Sequence, residues 1–545
     1  MSEPQSNATG LAVRVIPVSV AVRVAIGLLI ALLAASSLYF FYAQGLSNLY
    51  GDGLAHVEGA RRIFDSRTPG LPEIGSVWLP LFHLLAAPLA INNFLWRTGL
   101  AGSLISTAAF ILSAWLVFRL SLEMNLYWGA AAVSLAIFLL CPSLLYAASC
   151  PLTEPLMVFW TILITLLIFR FQQTGRRTLL VAASLAAFAG SLTRYDGWYL
   201  LPFVALFILI VPPAPWRQRA INALIFCLIS GAGPLLWFVH NVRRFGNALE
   251  FFNGPYSAKA IYSHQLATTA FRYPTDGSVI LSARYYVEDL KLVSGPWLLV
   301  LAMFGLMVWI IDRRRQRRGA AALLLLVPLI FYVQSMTFNA IPIYVPTLFP
   351  YTYYNLRYGL EMLPAIAIFP AFIVGRGGWE WKFRGRGILV FVLLAMVLGQ
   401  QASIVAQGVR RIPIVRESIL NTPCATKTQR ALIRYLRGNY DGHTIIMALG
   451  QWPCVNPKVG IPYRNTITEA NRRYWRTLPQ GASKQAEWIL VKQGDAVDDL
   501  MRAFPRAFAD FQPVARFSFP AEDPATVFRR ASGARLGSTQ WRTVH

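Results

Sequence analysis

Long apolar runs, separated by short polar segments, fill the chain from about residue 20 to residue 405. Each run approaches the ~20 residues that an α-helix needs to cross a bilayer. We place about 11 such spans, at 23–43, 99–118, 127–147, 155–171, 178–193, 198–211, 220–240, 296–311, 320–338, 358–374 and 387–405. The pattern therefore predicts an α-helical polytopic membrane protein.

After residue 405 the apolar runs shorten and charged residues return. The segment TKTQRALIRYLRGNY has helical spacing at Leu432, Tyr435 and Leu436, whereas HTIIMAL and EWILVK are typical of buried strands. These features predict a small soluble α/β domain, which is large enough for a core of its own. We divide the chain into a disordered N-terminus, a transmembrane domain with a first outside loop, and the soluble domain: 1–13, 14–405 with its loop at 44–95, and 406–545.

The composition excludes a soluble protein, because 56% of the 545 residues are hydrophobic, only 14% are charged and the mean hydropathy is +0.48. A net charge of +25 could indicate nucleic-acid binding. The basic residues, however, form short clusters between apolar runs, which is typical of cytoplasmic loops. We therefore predict no nucleic-acid partner.

Alternate loops carry this positive charge, and the bias orients the chain. The predicted inside loops contain Arg119, Arg170, Arg176, Arg177, Arg217, Arg219, Arg313 to Arg315, Arg317, Arg318, Arg376, Lys382, Arg384 and Arg386. Topology anchoring accounts for all of them. An odd number of crossings from a cytoplasmic start places the first loop and the soluble domain outside the cytoplasm.

The five cysteines fit no metal-ligand spacing. Only Cys424 and Cys454 share a soluble segment. They form a disulfide if that segment lies outside the cytoplasm, or remain reduced bystanders, and the sequence leaves both readings open.

One stretch, 50–84, concentrates ionisable side chains in a chain otherwise poor in charge. Its ionisable residues include Asp52, His56, Glu58, Arg61, Arg62, Glu73 and His83. A helix that begins near Asp52 puts Asp52 and His56 on one face, four residues apart. A carboxylate with an imidazole one turn away is suited to accept a proton from a hydroxyl or to hold a divalent cation. The alternative is that Asp52 only caps this helix and His56 is an interfacial histidine.

The opposite face of the same helix carries an apolar stripe. Leu54, Val57, Ala60 and Phe64 recur at helical spacing. Such a stripe predicts that the helix lies flat at the membrane interface.

Three further polar groups lie at predicted outer membrane boundaries. Glu154, in TEPL, lies at the start of a predicted span, where a carboxylate is costly and indicates an ion-pair partner or a functional role. The alternative is that the segment only caps the helix through Thr153. In LTRYDGW, Arg194 and Asp196 either form a simple ion pair or bind substrate. Arg357 and Tyr358 follow in NLRYGLEMLPAI, with Glu361 one turn further on, and a guanidinium at this position suits a phosphate head group.

In their order and spacing these motifs resemble the GT-C superfamily of membrane glycosyltransferases, especially the family of lipid A aminoarabinose transferases and protein O-mannosyltransferases. The resemblance covers about residues 15–400. It rests on Asp52 in the first outside loop, the WLPLFHLL approach to the second span, Glu154-Pro155, TRYDGW and Arg357-Tyr358. Many relatives carry two adjacent acids in that loop, whereas Gly53 follows Asp52 here.

The resemblance implies an inverting hexosyl- or pentosyltransferase at the outer face of the bacterial inner membrane. Its donor would be a membrane-anchored polyprenyl-phosphate sugar, and its acceptor a hydroxyl of a glycan, a lipid or a protein. Asp52 and Glu154 are the candidate catalytic acids, with Asp52 as the base or acceptor-orienting residue. The candidate substrate-binding residues are His56, Arg61, Arg62, His83, Arg194, Asp196, Arg357 and Tyr358. Some relatives bind a divalent metal, for which His56 and Glu73 are the candidates here.

Two other function classes compete with a transferase. The first is a transporter or flippase of a lipid-linked sugar, but transporters place ionisable groups near the middle of the bilayer, whereas here they cluster near span ends. The second is a non-catalytic scaffold whose outside domain binds a cell-envelope partner.

Overall fold

The computed structural model describes residues 18–312, 316, 318–375, 383–531 and 542–544. The predicted disordered N-terminus, 1–13, lies outside the described residues. So do Arg313 to Arg315, Arg317, Arg376, Lys382 and the side chain of Arg384 from the predicted inside loops.

The described chain is mainly helical. From the N-terminus to the turn before the long central segment, the α-helices are α1 (Val20–Ala43), α2 (Gly51–Arg62), α3 (Leu81–Ala90), α4 (Asn93–Thr98), α5 (Leu100–Asn125), α6 (Trp128–Leu139), α7 (Pro142–Ala148), α8 (Glu154–Thr174), α9 (Arg177–Ser191), α10 (Tyr195–Ile210) and α11 (Trp216–Phe245). They are followed by α12 (Glu250–Asn253), α13 (Ala258–Thr269), α14 (Val279–Ser294), α15 (Pro296–Ile311), α16 (Val327–Phe338), α17 (Leu363–Val374), α18 (Phe383–Ala406), α19 (Pro413–Asn421), α20 (Lys427–Asn439), α21 (Arg472–Trp475) and α22 (Ala496–Ala503). Short 3₁₀ segments lie at Leu71–Ile74, Ala320–Leu326 and Leu356–Met362, and the last two lead directly into α16 and α17.

Seven helices among the described residues are long and apolar enough to cross a membrane, or nine if each of two bent pairs forms one span. The bent pairs are α6 with α7, which meet at 62°, and α14 with α15, which meet at 111°. Each of the 11 predicted spans overlaps helical residues in the structure, but 127–147 corresponds to the bent pair α6 and α7, and 320–338 and 358–374 each begin in a 3₁₀ segment. Because α9 and α10 are only 15 and 16 residues long, the number of crossings stays a prediction.

Helix α8 shows how the sequence sets the ends of a spanning element. Pro155 lies in its first turn, where a missing backbone N–H leaves no hydrogen bond broken. Gly175 ends the helix in the left-handed conformation at φ +67°, and its N–H donates to the carbonyl of Phe171. Glu154 is therefore fixed at one end of the helix and Arg170 near the other.

Contacts divide the chain into two compact units. The first comprises residues 1–44, 76–81 and 106–417, and the second comprises 45–75, 82–105 and 418–545. Most of the first predicted outside loop, 45–75 and 82–95, thus groups with the C-terminal residues, a grouping that the sequence did not indicate.

The second unit contains a six-stranded mixed sheet in the order β2-β1-β3-β5-β4-β6. Its strands are β1 (Ile445–Met447), β2 (Thr466–Ile467), β3 (Trp488–Lys492), β4 (Phe511–Phe517), β5 (Ala525–Arg530) and β6 (Arg542–Val544). Strands β2, β1 and β3 are parallel, β3, β5 and β4 are antiparallel, and β4 and β6 are parallel. The predicted strands in HTIIMAL and EWILVK are present as β1 and β3, and the predicted helix is present as α20.

The apolar stripe of α2 packs into the second unit, so the prediction that it lies on the membrane interface is wrong. Leu54 belongs to the core cluster around Leu432 and Trp488. Val57 and Ala60 pack with residues of α3 and with Tyr463 from the C-terminal part of the second unit. Covering this stripe with protein removes its apolar surface from water, which is the same driving force that the interface would have supplied.

Cys424 and Cys454 form a disulfide, so of the two readings the bridged one holds. Their Cα atoms are 5.7 Å apart, and the bridge closes a loop across 30 positions. Cys141, Cys150 and Cys227 are free thiols, of which Cys227 is exposed.

Removing the bridge should destabilise the second unit. Because a cross-link over 30 positions restricts the unfolded chain, reduction or the double change Cys424→Ser, Cys454→Ser should lower the free energy of unfolding by about 3–4 kcal/mol. Thermal unfolding of the purified full chain, with and without reductant, measures the loss. The exposed thiol supplies the control, Cys227→Ser, which should unfold like the wild type. Maleimide labelling of the denatured chain should modify three thiols before reduction and five after it; five before reduction would contradict the bridge.

Candidate functional site

In the first unit, side chains from three separate segments meet in a buried ion cluster. Glu154, in the first turn of α8, accepts from Arg194 Nη1 at 3.0 Å and from Arg357 Nε at 2.9 Å, both at Oε1. Arg194 Nε lies 3.2 Å from Asp196 Oδ2 and 3.1 Å from Glu361 Oε1. Four of the predicted site residues are therefore brought together, and Glu361 joins them.

Tyr332 of α16 completes this cluster, although it was not among the residues selected from the sequence. Its hydroxyl lies 3.1 Å from Asp196 Oδ2 and 2.9 Å from Glu361 Oε1, and accepts from Arg194 Nη2 at 3.1 Å. Its ring stacks on Tyr358 with centroids 4.9 Å apart. A tyrosine in the middle of an apolar run was the only sequence signal, and it did not reveal the partners.

The capping alternative for Glu154 is not what the structure has, whereas the ion pair between Arg194 and Asp196 is present within a larger network. Thr153 occupies the N-cap of α8 but makes no capping bond, and its hydroxyl instead accepts from Arg194 Nη1 at 2.8 Å. Arg194 does pair with Asp196, but all three of its nitrogen atoms are engaged with further partners as well. It is therefore the hub of the cluster.

One oxygen of the cluster has no partner among the described residues. Glu154 is 1% exposed, and its Oε2 makes no hydrogen bond there. A buried carboxylate oxygen without a donor is unfavourable by roughly 1–3 kcal/mol or more. The arrangement thus fixes Oε1 with two guanidinium groups and leaves Oε2 able to accept a hydrogen bond from a ligand.

A further buried carboxylate, that of Glu417, holds the segment that carries Arg357, Tyr358 and Glu361. Glu417 of α19 is buried and accepts from the backbone N–H of Asn355 at 2.7 Å and of Leu356 at 2.9 Å. These bonds fix the start of the 3₁₀ segment at Asn355, whose φ is +57°. Sequence reasoning missed Glu417, since a carboxylate about 60 residues away gives no local signal of this contact.

In the second unit, α2 carries Asp52 and His56 one turn apart, as predicted. Tyr50 occupies the N-cap, so Asp52 lies inside the first turn and is not the cap residue. Asp52 is half-buried, whereas His56 is buried and its Nδ1 lies 3.2 Å from Nε2 of the fully buried His83. Gly59 makes room for this pair, because a Cβ there would meet the His83 ring at 2.9 Å.

The guanidinium of Arg61 binds groups of its own unit. It donates to Asp65 Oδ2 and to the carbonyls of Ala90 and Ile91, each at 2.8 Å, and lies over the Trp96 ring. The structure therefore gives Arg61 a role in holding α2 against α3 and α4.

Arg62 and Glu73 meet in a neighbouring network. Arg62 Nη2 donates to the Glu73 carbonyl at 2.8 Å, and its Nε lies 4.0 Å from Glu73 Oε2. Glu73 Oε1 also accepts from Thr68 and from Asn471 Nδ2, the latter at 3.3 Å. The contact between Glu73 and Asn471 joins two parts of the second unit that are far apart in the sequence, and no local sequence pattern could have predicted it.

The two metal candidates do not fit a metal site. His56 faces His83, while Glu73 is engaged with Thr68, Asn471 and Arg62. Within the described residues, no group of three or more His, Cys, Asp and Glu side chains is placed to hold an ion.

Glu58 is a buried acid in the same helix. Burial raises its pKa to about 8, although the Arg62 guanidinium opposes this shift. Burial, and then the charge of Glu58, likewise raise the pKa of Tyr463 well above its ordinary value. Glu58 is thus enclosed by protein, whereas Asp52 of the same helix is half-buried.

A comparison with protein-family models finds no match, and neither does one with curated protein sequences. Among solved structures, the chain is similar to ArnT from Cupriavidus metallidurans bound to undecaprenyl phosphate, at 14% identity and a TM-score of 0.55, over 94% of this chain and 99% of that chain. The apo state of the same protein matches at 14% identity and a TM-score of 0.54, over 93% and 98% of the two chains. At such identity the likeness concerns the fold. The chain is therefore an integral membrane protein that shares the fold of ArnT.

Proposed function

We propose that this protein is an inverting glycosyltransferase that moves a sugar from a polyprenyl-phosphate donor to an acceptor hydroxyl at the outer face of the bacterial inner membrane. The observation that carries the proposal is the convergence of Glu154, Arg194, Asp196, Arg357 and Glu361 in one buried cluster. Its support is the shared fold with ArnT, of which one solved structure is bound to undecaprenyl phosphate.

The cluster offers a hydroxyl of the ligand a place at Glu154. Three carboxyl groups meet two guanidinium groups there, and both guanidinium groups hold Glu154 Oε1. Glu154 Oε2 is the oxygen that still needs a donor. We assign it to a hydroxyl of the donor sugar, with Arg194 and Arg357 holding Oε1 in place.

We assign the phosphate of the donor to Arg357 and Tyr358. Arg194 has every nitrogen engaged and is assigned to positioning the cluster. A guanidinium compensates the charge that develops on the departing phosphate. Arg61 and His83 contribute indirectly, because both are buried against neighbours in their own unit.

Asp52 supplies the base in this proposal. The acceptor oxygen attacks the anomeric carbon as the bond from that carbon to the phosphate oxygen breaks, and attack from the opposite face inverts the configuration. The hydroxyl proton passes to the Asp52 carboxylate, and polyprenyl phosphate leaves with the bonding electron pair. Asp52 is half-buried, whereas Glu58 of the same helix is buried, and this difference favours Asp52 over Glu58 for the base.

The change Asp52→Asn should abolish transfer while leaving insertion and folding intact. Loss of a general base typically slows a reaction by about 10²–10⁴-fold. The assay incubates the purified protein with a panel of polyprenyl-phosphate sugars, follows donor loss and determines the anomeric configuration of the product.

The control for this change is Asp523→Asn, since Asp523 is exposed and pairs with the Lys492 ammonium group at 2.9 Å. It should transfer sugar at the wild-type rate. Near wild-type transfer by Asp52→Asn would remove Asp52 from the base role. A wild-type protein that moves intact donor across vesicles without consuming it would favour the transporter class.

Glu417 is the next residue to test, as a positioning residue. The change Glu417→Gln leaves one oxygen to accept from Asn355 or Leu356, so the segment carrying Arg357 and Glu361 loosens. Since a hydrogen bond to a charged group contributes roughly 1.5–3 kcal/mol, kcat should fall about tenfold or more. Steady-state kinetics against donor and acceptor separately resolve kcat from KM.

Glu522, in the C-terminal part of the second unit, provides a matched control for the change at Glu417. Its carboxylate accepts from the backbone N–H of Lys427 and Thr428, each at 2.8 Å, at the start of α20. Glu522→Gln removes the same chemistry and should leave kcat within about twofold of the wild type. A Glu417→Gln enzyme that loses only thermal stability, with unchanged kcat, would show that the contact is structural alone.

A further inference from the structure

A second charged cluster lies at the other end of α8, about 24 Å from Glu154 by helix length. Its centre is Glu123, near the end of α5, which is 3% exposed. Glu123 Oε1 accepts from Arg119 at 2.8 Å and from Arg170 at 2.7 Å, while Oε2 accepts from Arg170 Nε at 2.9 Å. The backbone carbonyl of Glu123 accepts from Arg318 at 3.0 and 3.2 Å.

These arginines come from three loops that the charge pattern placed on the same side of the membrane. In the structure Arg119 lies in the last turns of α5, Arg170 lies in the last turns of α8, and Arg318 precedes the segment leading into α16. Their convergence on one residue agrees with that placement. Arginines that only set the membrane topology need no common partner, whereas these three guanidinium groups all bind Glu123.

The charges of the cluster do not balance. Two guanidinium groups bind the Glu123 carboxylate and a third, that of Arg318, binds its backbone carbonyl, while Asp312 is the only other carboxylate described in the predicted inside loops. Arg119 uses one N–H and Arg170 uses two within the described residues, out of five on each group. The side chains of Arg119 and Arg170 are 17% and 33% exposed, so part of each side chain is accessible to a ligand.

We propose that this cluster binds the headgroup phosphate of an anionic phospholipid. Basic pockets between the ends of membrane helices on the cytoplasmic side suit such headgroups. A guanidinium makes paired, charge-assisted hydrogen bonds to phosphate, and here Glu123 already holds the arginines in place, which reduces the loss of conformational freedom on binding. A lipid fits better than a soluble anion, because α5 exposes apolar side chains such as Leu112 for the acyl chains to cover.

The test measures lipid binding to the purified full-length protein by native mass spectrometry, with phosphatidylglycerol, phosphatidylcholine and inorganic phosphate as separate ligands. Phosphatidylglycerol should bind the wild type at least about tenfold more tightly than phosphatidylcholine, as expected for a charge-assisted contact. Arg119→Gln should weaken phosphatidylglycerol binding about tenfold, since it removes charge-assisted bonds. The readout does not depend on sugar transfer, so it stands or falls separately from the proposed function.

A change at Arg170 alone would leave the buried Glu123 charge with less compensation and endanger folding. The double change Glu123→Gln, Arg170→Gln removes the acid and the base together and should also bind phosphatidylglycerol about tenfold more weakly. The matched control is Arg177→Gln, an exposed arginine at the start of α9 outside the cluster, which should bind like the wild type.

Three results would overturn the proposal. The first is equal affinity for phosphatidylcholine and phosphatidylglycerol, which would remove the headgroup charge from recognition. The second is a loss in Arg177→Gln as large as in Arg119→Gln, which would indicate general attraction to basic loops. The third is inorganic phosphate binding as tightly as phosphatidylglycerol, which would assign the cluster to a soluble anion.

Discussion

The first unit depends on mutual compensation of charges that its apolar helices would otherwise exclude. A carboxylate or guanidinium buried alone among such helices is strongly unfavourable, and becomes tolerable only when a partner lies within hydrogen-bond distance. Glu154 meets this requirement with two arginines on one oxygen, and Arg194 meets it by engaging every nitrogen. Because the partners come from α8, α10, α16 and the segment before α17, the cluster also fixes where these elements meet. The same contacts therefore set both the packing of these elements and the positions of the charged side chains.

Much of the fold could be predicted from the sequence, since it follows from local composition. Apolar length locates the helices, and the runs HTIIMAL and EWILVK locate two strands of the sheet. The motifs also indicated Glu154, Arg194 and Arg357 as candidates, and the structure brings these three side chains into one cluster. Their partners were beyond reach, because Tyr332 and Glu417 are set by contacts between distant parts of the chain and resemble ordinary residues of an apolar run and of a surface helix.

The apolar stripe of α2 shows where pattern reasoning fails for a physical reason. The helical spacing of Leu54, Val57 and Ala60 indicates that one face of the helix is buried away from water, but it does not indicate what covers that face. A lipid interface and a protein core both satisfy the requirement, and periodicity is the same for each. In the structure the cover is the core of the second unit, which the disulfide between Cys424 and Cys454 also stabilises. A loop judged by itself was therefore assigned to the wrong environment.

The two ends of α8 show that similar residues can support different chemistry. Each end has a buried glutamate bound to two arginines. At Glu154, three carboxyl groups in all meet two guanidinium groups and one carboxylate oxygen has no donor among the described residues, so in the proposed function this end accepts a hydrogen bond from a hydroxyl of the ligand. At Glu123, both carboxylate oxygens are bonded and the guanidinium groups are in excess, so the end can donate hydrogen bonds and suits an anion. The ligand class at each end thus follows from which partner is in surplus, and counting the charges of a cluster is as informative as identifying its residues.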